Sequence, residues 1–328
     1  MSSKATATSS RQTLVGFPCA LSAYLIWGLT PIYFKTLASV PAFEILMHRI
    51  FWSFLFLLPL AVVLKRGRAL VAALTAGRTL LILTASTLLV AFNWFLFIWA
   101  INSNHILQTS LGYYINPLVN VSLGVVFLRE RLRPLQKIAI LMAAAAVLQL
   151  TVFYGEFPWV ALCLAFSFGF YGLIRKVAPV GALEGLTVET FLLSMPAGAY
   201  LVYLDSLGQG TIFRLSPRLD HLLIGTALVT AVPLLLFTLG ARRLHLSTIG
   251  FLQYIAPSCT FLLAVLVYGE PFSLPQMITF GVIWLALAVF SADAVLFYRR
   301  NTRSLQVASS GNMAALSRES VHLADNRK

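Results

Sequence analysis

The sequence predicts an all-α integral membrane protein with ten transmembrane helices arranged as two inverted five-helix repeats. Three observations lead to this prediction: the composition is too apolar for a soluble fold, the apolar stretches are long enough to span a bilayer, and the second half repeats the first. Of the 328 residues, 59% are hydrophobic and 11% are charged, and the mean hydropathy is +0.85. Soluble domains are typically about 45–50% apolar and about 25% charged. This composition excludes a soluble enzyme, a disordered chain and a small disulfide-linked domain.

Ten apolar stretches are bounded by charged residues, Pro or Gly. A hydrocarbon core of about 30 Å requires about 20 residues of helix, whereas membrane β-strands would alternate apolar and polar positions over about ten residues. The predicted spans are 14–34, 43–64, 79–100, 106–128, 135–153, 158–174, 184–204, 221–240, 246–268 and 274–297. Segment 1–13 precedes them as a cytoplasmic N-terminal segment. The Ser-rich, basic segment 299–328 is predicted to be a disordered cytoplasmic tail.

Lysine and arginine residues sort to alternate connections between these spans. Basic connections are retained on the cytoplasmic side of a membrane. With both termini in the cytoplasm, the cytoplasmic segments contain 20 of the 24 basic residues. Lys35, Arg214 and Arg218 then lie outside, and Arg49 lies within the second span. The net charge of +13 is therefore a signal of topology, and we expect no nucleic-acid partner.

The second half of the chain matches the first at an offset of 140 residues. The matched pairs are His105 with His245, Tyr114 with Tyr254, Ile115 with Ile255, Pro117 with Pro257, Glu130 with Glu270 and Gln136 with Gln276. Shared polar residues at one offset are harder to obtain by chance than apolar matches in so apolar a chain. The predicted repeats are 14–155 and 156–298, and because five helices is an odd number, the two copies cross the membrane in opposite senses.

Several segments resemble the RarD subgroup of the EamA family in the drug/metabolite transporter superfamily. They are Ala23-Tyr24-Leu25-Ile26-Trp27-Gly28, His48-Arg49-Ile50-Phe51-Trp52-Ser53, the run from Asn93 to Ala100, the run from Leu111 to Asn120, Gln253-Tyr254-Ile255 and Gly269-Glu270-Pro271. The resemblance covers about residues 14–298. It implies a bacterial inner-membrane permease that works as an exporter, but it supplies no substrate. One departure is Arg129, where the family's first repeat often has glycine.

Four ionisable residues inside predicted spans are candidates for ion coupling or gating. Such side chains are costly in a bilayer and usually face a cavity or a partner. Glu44 and His48 are four residues apart on one helix face, and Arg49 lies about 100° around the helix from His48. An interfacial ion cluster with no transport role explains this group equally well. Glu189 lies about one and a half turns into the seventh span and is more isolated than this group, so it is a candidate for proton or cation coupling.

A second set of residues is predicted to line a central cavity. Pro117 and Pro257 remove a helical hydrogen bond and are expected to kink their helices, which leaves carbonyl groups four residues upstream open to ligand. The expected substrate-binding residues are Tyr24, Trp27, Asn93, Trp94, Tyr113, Asn116, Asn120, Gln253 and Tyr254. Aromatic walls with a few amides suit amino-acid-like or amphipathic aromatic solutes. The alternative is that these polar groups only join helices to one another.

No enzyme motif is present in the sequence. It contains no P-loop, G-x-S-x-G, H-E-x-x-H or G-x-G-x-x-G segment, and its three cysteines show no metal-binding spacing, so we expect no cofactor and no metal. The prediction is a secondary transporter for a small solute, acting in the lipid bilayer by alternating access. A membrane sensor or partner subunit is the alternative, followed by an intramembrane enzyme. The sequence leaves coupling to protons and homodimer formation open.

Overall fold

The computed structural model describes residues 2–103, 106–155, 157–269, 273–293 and 295–296 as helices joined by short connections, with no strand among them. The helices are α1 (Ser2–Lys35), α2 (Ala42–Val63), α3 (Gly67–Thr75), α4 (Gly77–Asn102), α5 (Ile106–Leu128), α6 (Pro134–Tyr154), α7 (Trp159–Val177), α8 (Ala182–Ser206), α9 (Pro217–Ala241), α10 (Leu246–Gln253), α11 (Ile255–Leu262) and α12 (Leu274–Asp293). Ten segments of this described chain are long and apolar enough to cross a membrane. The all-helical, ten-span fold is therefore confirmed. The predicted tail 299–328 lies outside the described residues.

Two features of the helices were not anticipated from the sequence. The first helix begins at Ser2, so its polar first turns precede the apolar span that starts near Leu14 and form one continuous helix with it. The connection after α2 contains the short helix α3, which the sequence analysis treated as a basic loop. This helix is amphipathic, and Leu70 and Ala73 are buried in a small cluster with Leu83. Burial of one apolar face stabilises a helix that is too short to form in isolation.

The ninth span is interrupted, whereas its counterpart in the first half is continuous. Helix α10 ends at Gln253, Tyr254 forms a turn, and α11 begins at Ile255. The interruption lies three residues before Pro257, which has no N–H to donate to the carbonyl of Gln253. Helix α5 contains Pro117 but runs unbroken from Ile106 to Leu128. The two matched prolines therefore have different local effects.

Helix packing is compatible with a two-fold relation between the halves. The pairing of α1 with α9 corresponds to that of α7 with α4, and the pairing of α2 with α9 corresponds to that of α8 with α4. Helix α5 packs on α7 as α11 packs on α1, while the pairs α2–α8 and α5–α10 join equivalent helices. Each of these contacts recurs when the halves are exchanged, as an inverted repeat requires.

Successive spans are joined by short connections, so the bundle has two distinct ends. We call the end that carries the α2–α4, α5–α6, α7–α8 and α9–α10 connections the basic end, because most lysine and arginine residues lie there. The opposite end carries the α1–α2, α4–α5, α6–α7, α8–α9 and α11–α12 connections. Lys35 is basic at the opposite end, and its ammonium group lies 3.4 Å above the ring of Tyr268. This cation–π contact gives Lys35 a partner there.

Candidate functional site

A central cavity of about 980 Å³ lies between the two halves. It extends from the middle of the bundle to the opposite end, where Leu37, Ala38 and Val40 of the α1–α2 connection line it. None of its described lining residues belongs to a connection at the basic end. Its volume is within the range of about 300–1,000 Å³ that is typical of small-molecule sites. The cavity is thus open toward one end of the bundle and closed toward the other.

Each lining helix contributes one face to the cavity. The lining residues of α1 are Tyr24, Trp27, Thr30, Pro31 and Phe34, those of α2 are Ala42, Ile45, Leu46 and Arg49, and those of α5 are Thr109, Gly112, Tyr113, Tyr114 and Asn116. Apart from Tyr24, one turn before Trp27, and Tyr114, all three sets follow the i, i+3, i+4, i+7 spacing of a single helix face. Phe34, Thr230, Phe168 and Phe280 also line the cavity but were not predicted from the sequence. The helical spacing alone could have located Phe34, since it lies seven residues after Trp27.

Seven of the nine predicted substrate-binding residues line this cavity: Tyr24, Trp27, Asn93, Trp94, Tyr113, Asn116 and Gln253. The predicted kink residue Pro257 lines it as well. Asn120 and Tyr254 are fully or almost fully buried outside the lining. The hydroxyl of Tyr254 donates a hydrogen bond to the carbonyl of Tyr114 at 3.2 Å. Tyr254 therefore joins α10 to α5 and does not face a solute.

The cavity ends where α5 and α10 come together. Asn120 Nδ2 donates a hydrogen bond to Gln253 Oε1 at 2.6 Å. Gly250 lies one turn before Gln253, and a Cβ atom there would stand 2.6 Å from the carbonyl oxygen of Pro117. The two helices approach this closely because Gly250 has no side chain. Toward the opposite end they diverge, and Gly112, Tyr113, Pro257 and Thr260 on the diverging segments line the cavity.

Aromatic rings of α1 and α7 form the deep wall of the cavity, and Phe237 of α9 packs behind them. The ring of Trp27 lies 5.7 Å from Phe237 and 6.0 Å from Phe168, between ring centroids. Tyr24 packs on both Trp27 and Phe237, at 5.6 and 6.2 Å. The Tyr24 hydroxyl is buried without a hydrogen-bond partner. This wall offers flat apolar surfaces to a bound solute, together with few polar groups.

The candidate cluster on α2 is divided between two environments. Glu44 and His48 lie together, with 3.7 Å between Glu44 Oε1 and His48 Nε2, and both are buried outside the cavity lining. Glu44 Oε1 also accepts hydrogen bonds at 2.8 Å from the backbone N–H and the hydroxyl of Thr211 in the α8–α9 connection. Trp52 donates to His48 Nδ1 at 3.2 Å. Arg49 faces the cavity instead.

Glu189 is paired in the structure, with a basic residue that belongs to a different helix. Arg175 Nε lies 3.5 Å from Glu189 Oε1, and both side chains are almost fully buried. The hydroxyl groups of Ser86 and Tyr171 donate to the carboxylate at 2.5 and 3.3 Å. Arg175 was assigned to a cytoplasmic connection by the sequence analysis, but it lies inside the last turn of α7. This buried group joins α4, α7 and α8 and lies outside the cavity lining.

At the basic end, the carboxylate of Glu130 caps the first turn of α10. Leu246 N–H donates to Oε1 at 2.5 Å, and the N–H and hydroxyl groups of Ser247 donate to Oε2 at 2.9 and 2.8 Å. A carboxylate at a helix N-terminus satisfies N–H groups that have no helical partner and interacts favourably with the helix dipole. Burial alone would raise the pKa of Glu130, but contact with His245 and these hydrogen bonds hold it at about 2. The cap joins the α5–α6 connection of the first half to α10 of the second.

Further polar contacts close the basic end. Arg133 Nη2 lies 2.7 Å from Asp293 Oδ2, which connects α6 to α12. Arg66 lies 3.5 Å from Glu184, which connects the α2–α3 connection to α8. Lys176 donates to the carbonyls of Ala241 and Leu244. Because most of these contacts join one half to the other, an opening at this end would break them.

A ten-span helical bundle with a solute-sized central cavity is typical of membrane transporters. The model of the EamA-like transporter family matches residues 14–152 and again 158–292, once in each half. The chain belongs to this family, as the resemblance in the sequence indicated.

Curated relatives are similar over almost their whole length. An "Uncharacterized transporter" of Vibrio cholerae is 50% identical over 85% of this chain and 93% of its own. "Protein RarD" of Escherichia coli is 45% identical over 90% of this chain and 99% of its own. The "Chloramphenicol-sensitive protein RarD" of Pseudomonas aeruginosa is 34% identical over 88% of this chain and 97% of its own. These relatives support a multi-pass bacterial membrane protein of the RarD type.

A solved crystal structure shares the fold at low sequence identity. It superposes with a TM-score of 0.65 at 18% identity and covers 85% of this chain and 96% of the other. At this identity the similarity concerns the fold alone.

Proposed function

We propose that this protein is a secondary transporter that exports amino-acid-like or amphipathic aromatic solutes by alternating access. In this proposal the repeats 14–155 and 156–298 move against each other, and the basic end faces the cytoplasm. The structure then represents a state open to the outside. Sites of this kind lie near the membrane midplane between the halves.

One observation carries the proposal: the central cavity reaches one end of the bundle and is closed toward the other. Between its closed end and the basic end lie polar contacts between the halves, above all the cap of Glu130 on α10. Alternating access requires contacts of this kind that form in one state and break in the other. The aromatic wall and the amides Asn93, Asn116 and Gln253 favour a solute with a flat apolar body and polar groups.

Glu189 is our candidate for the proton-coupling residue, and Glu44 with His48 is our candidate for a gate at the opposite end. Protonation of Glu189 would leave the charge of Arg175 unpaired inside the protein, so its ionisation state is linked to the packing of α4, α7 and α8. Glu44 holds Thr211 of the α8–α9 connection. Loss of that contact would release the connection.

Solute flux into proteoliposomes tests the transport proposal. The panel contains aromatic amino acids, amphipathic cations and chloramphenicol, and protein-free liposomes give the passive background. Thr230→Trp places a large ring in the cavity and should abolish flux, whereas Leu228→Trp on the same helix places it at an exposed position and should not. Absence of flux for every solute, or equal flux in the two variants, would contradict the proposal.

An imposed pH gradient tests the coupling residue. Flux that depends on the gradient in the unmodified protein should lose that dependence in Glu189→Gln. An unchanged gradient response in Glu189→Gln would exclude Glu189 as the proton carrier, and flux without any gradient response would favour exchange or facilitated movement.

A further inference from the structure

Arg49 is the one charged side chain among the described residues that line the cavity. It lies seven residues into α2, which places it about 10 Å along the helix from its start. All other described lining residues are apolar, aromatic or neutral polar. The cavity therefore carries a positive charge within the membrane-spanning part of the protein.

No carboxylate of the described chain forms an ion pair with Arg49. Its Nε donates to the hydroxyl of Thr230 at 2.9 Å, which fixes the plane of the guanidinium group. Glu44, the nearest acidic residue along the chain, is bound to Thr211 and His48. Within the described residues, the remaining guanidinium N–H groups have no hydrogen-bond acceptor from the protein.

Two aromatic rings flank the guanidinium group. Its central carbon lies 5.0 Å from the ring centre of Phe34 and 5.7 Å from that of Trp94. Cation–π contacts of this kind orient an arginine and partly offset its loss of hydration. They leave the edge of the guanidinium group able to donate two parallel hydrogen bonds. A carboxylate accepts two such bonds in the same plane.

An ammonium group has no equivalent partner in the cavity. The described lining contains no aspartate or glutamate. Polar acceptors are limited to side-chain amides, hydroxyls and backbone carbonyls, among them the buried and unpartnered Oδ1 of Asn116. The cavity thus compensates one negative charge of a solute and no positive charge.

We propose that Arg49 binds the carboxylate of the transported solute, and that the site prefers an aromatic monocarboxylate whose amine is absent or blocked. This inference rests on the proposed transport function and narrows its substrate class. The carboxylate pairs with Arg49, and the apolar body extends toward Trp27 and Phe168. Zwitterions, neutral amides and amines are poorer solutes, because each lacks the anion or brings an uncompensated cation.

Four probes with the same benzyl group separate these charge types: N-acetylphenylalanine, N-acetylphenylalanine amide, phenylalanine and phenylalanine amide. They are monoanionic, neutral, zwitterionic and cationic at pH 6.0, well below the α-amino pKa of about 7.7–8.0 and above that of the carboxylates. Uptake into proteoliposomes should be fastest for N-acetylphenylalanine after subtraction of the passive leak. Arg49→Gln should lower its uptake between about 10- and 100-fold, the range expected for loss of a charged hydrogen-bonded pair. Arg49→Lys keeps the charge but lacks the planar pair of donors, so its uptake of N-acetylphenylalanine should lie between that of the unmodified protein and that of Arg49→Gln.

Arg218→Gln is the matched control, because Arg218 is exposed near the start of α9 and does not line the cavity. It should leave uptake within twofold of the unmodified protein. Binding is measured separately in detergent by quenching of tryptophan fluorescence, since Trp27 and Trp94 line the cavity. Thermal unfolding of each variant shows whether it is folded.

The outcomes distinguish this inference from the transport proposal. Equal uptake of N-acetylphenylalanine and its amide, or uptake unchanged in a folded Arg49→Gln variant, would overturn the role of Arg49 while transport stands. Faster uptake of phenylalanine amide would do the same. Failure of all four probes, together with the wider solute panel, would overturn the transport proposal itself.

Discussion

Removal of the charge on Glu130 should open the basic end of the bundle. The pKa of Glu130 falls from its ordinary value of 4.5 to about 2 in the structure. This difference means that the capped arrangement stabilises the ionised carboxylate by about 3 kcal/mol. Glu130→Gln keeps one carbonyl acceptor for the N-terminus of α10, so we expect a loss of about 2 kcal/mol. This corresponds to about a 30-fold shift toward the state in which the cap is broken.

A cysteine at Val121 reports this opening. Val121 is buried between α5 and α10, on the basic side of the contact between Asn120 and Gln253. In a chain without its three native cysteines, a membrane-impermeant maleimide added from the basic side should react up to about 30 times faster with the Val121→Cys protein when Glu130→Gln is also present.

The control is Asp205→Asn, which removes an exposed pair with Arg214 at 2.6 Å. Exposed pairs contribute little, so the labelling rate should not change. A rate in Glu130→Gln within twofold of the parent would show that the cap does not hold the basic end closed.

The pKa of Glu130 also predicts how closure depends on pH. A carboxylate whose pKa is lowered by folding contributes its stabilisation above the ordinary pKa and loses it as the pH falls toward the lowered value. Glu130 should therefore remain ionised between about pH 5 and pH 8. Because maleimide reacts with the thiolate, the labelling rate itself rises with pH, so we compare the ratio of the rate in Glu130→Gln to the rate in the parent, which should stay constant over this range. A ratio that falls steeply from pH 8 to pH 5 would show that another group controls this end.

Three further predictions concern other contacts. Gly124→Ala would place a Cβ atom 2.8 Å from Glu130 Oε2, so it should displace the cap and increase labelling from the basic side in the same assay. Asn116→Ala should reduce transport without lowering thermal stability, because Asn116 lines the cavity. Tyr254→Phe should lower stability by about 1 kcal/mol, because it removes a buried hydrogen bond. The reverse pattern in flux and unfolding assays would exchange the roles of the two residues. Glu189→Gln should destabilise the protein by about 3–5 kcal/mol, because the buried charge of Arg175 loses its partner. A second substitution, Arg175→Met, should recover much of this loss of stability. If thermal unfolding shows no recovery in the double variant, the pairing is contradicted.

The spans could be predicted from the sequence because each is a single apolar stretch, and a bilayer allows few other structures for such a stretch. Helix α3 could not be predicted in the same way, because it is stabilised by its contact with Leu83 and other residues of α4, α8 and the α7–α8 connection. The interruption at Tyr254 was anticipated in part by Pro257. The same reasoning applied to Pro117 predicts a kink, yet α5 contains no comparable interruption. The missing N–H of a proline determines which helical hydrogen bond is lost, but it does not determine whether the helix is interrupted there.

The cavity was harder to predict because hydropathy does not separate its walls from the lipid-facing surface. Trp27, Phe34 and Phe168 line the cavity, while Phe92 and Phe95 are exposed on the outside of the bundle. Both environments accept aromatic side chains. Polar residues were better guides, because the amides Asn93, Asn116 and Gln253 line the cavity, although Asn120 lies beneath it.

Pairs distant in sequence were the second difficulty. Arg175 and Glu189 are 14 positions apart on different helices, and positive charge near a helix end is ordinarily assigned to the membrane surface. The sequence also treated Glu44, His48 and Arg49 as one group. The angle of about 100° between His48 and Arg49 is enough to place them in different environments, the first against Glu44 and the second in the cavity.

In the proposed orientation, membrane topology explains why arginine occupies position 129 against the local backbone preference. It has φ +54°, and its counterpart in the second repeat, Gly269, has φ +65°. Both repeats therefore form the same left-handed turn, for which glycine is the favoured residue, and arginine costs about 1–2 kcal/mol there. In the first repeat this turn lies at the basic end, where positive charge favours cytoplasmic retention. In the second repeat it lies at the opposite end, where no such preference acts, and glycine is present. Arginine in the first repeat and glycine in the second are therefore what is expected if the two repeats cross the membrane in opposite orientations.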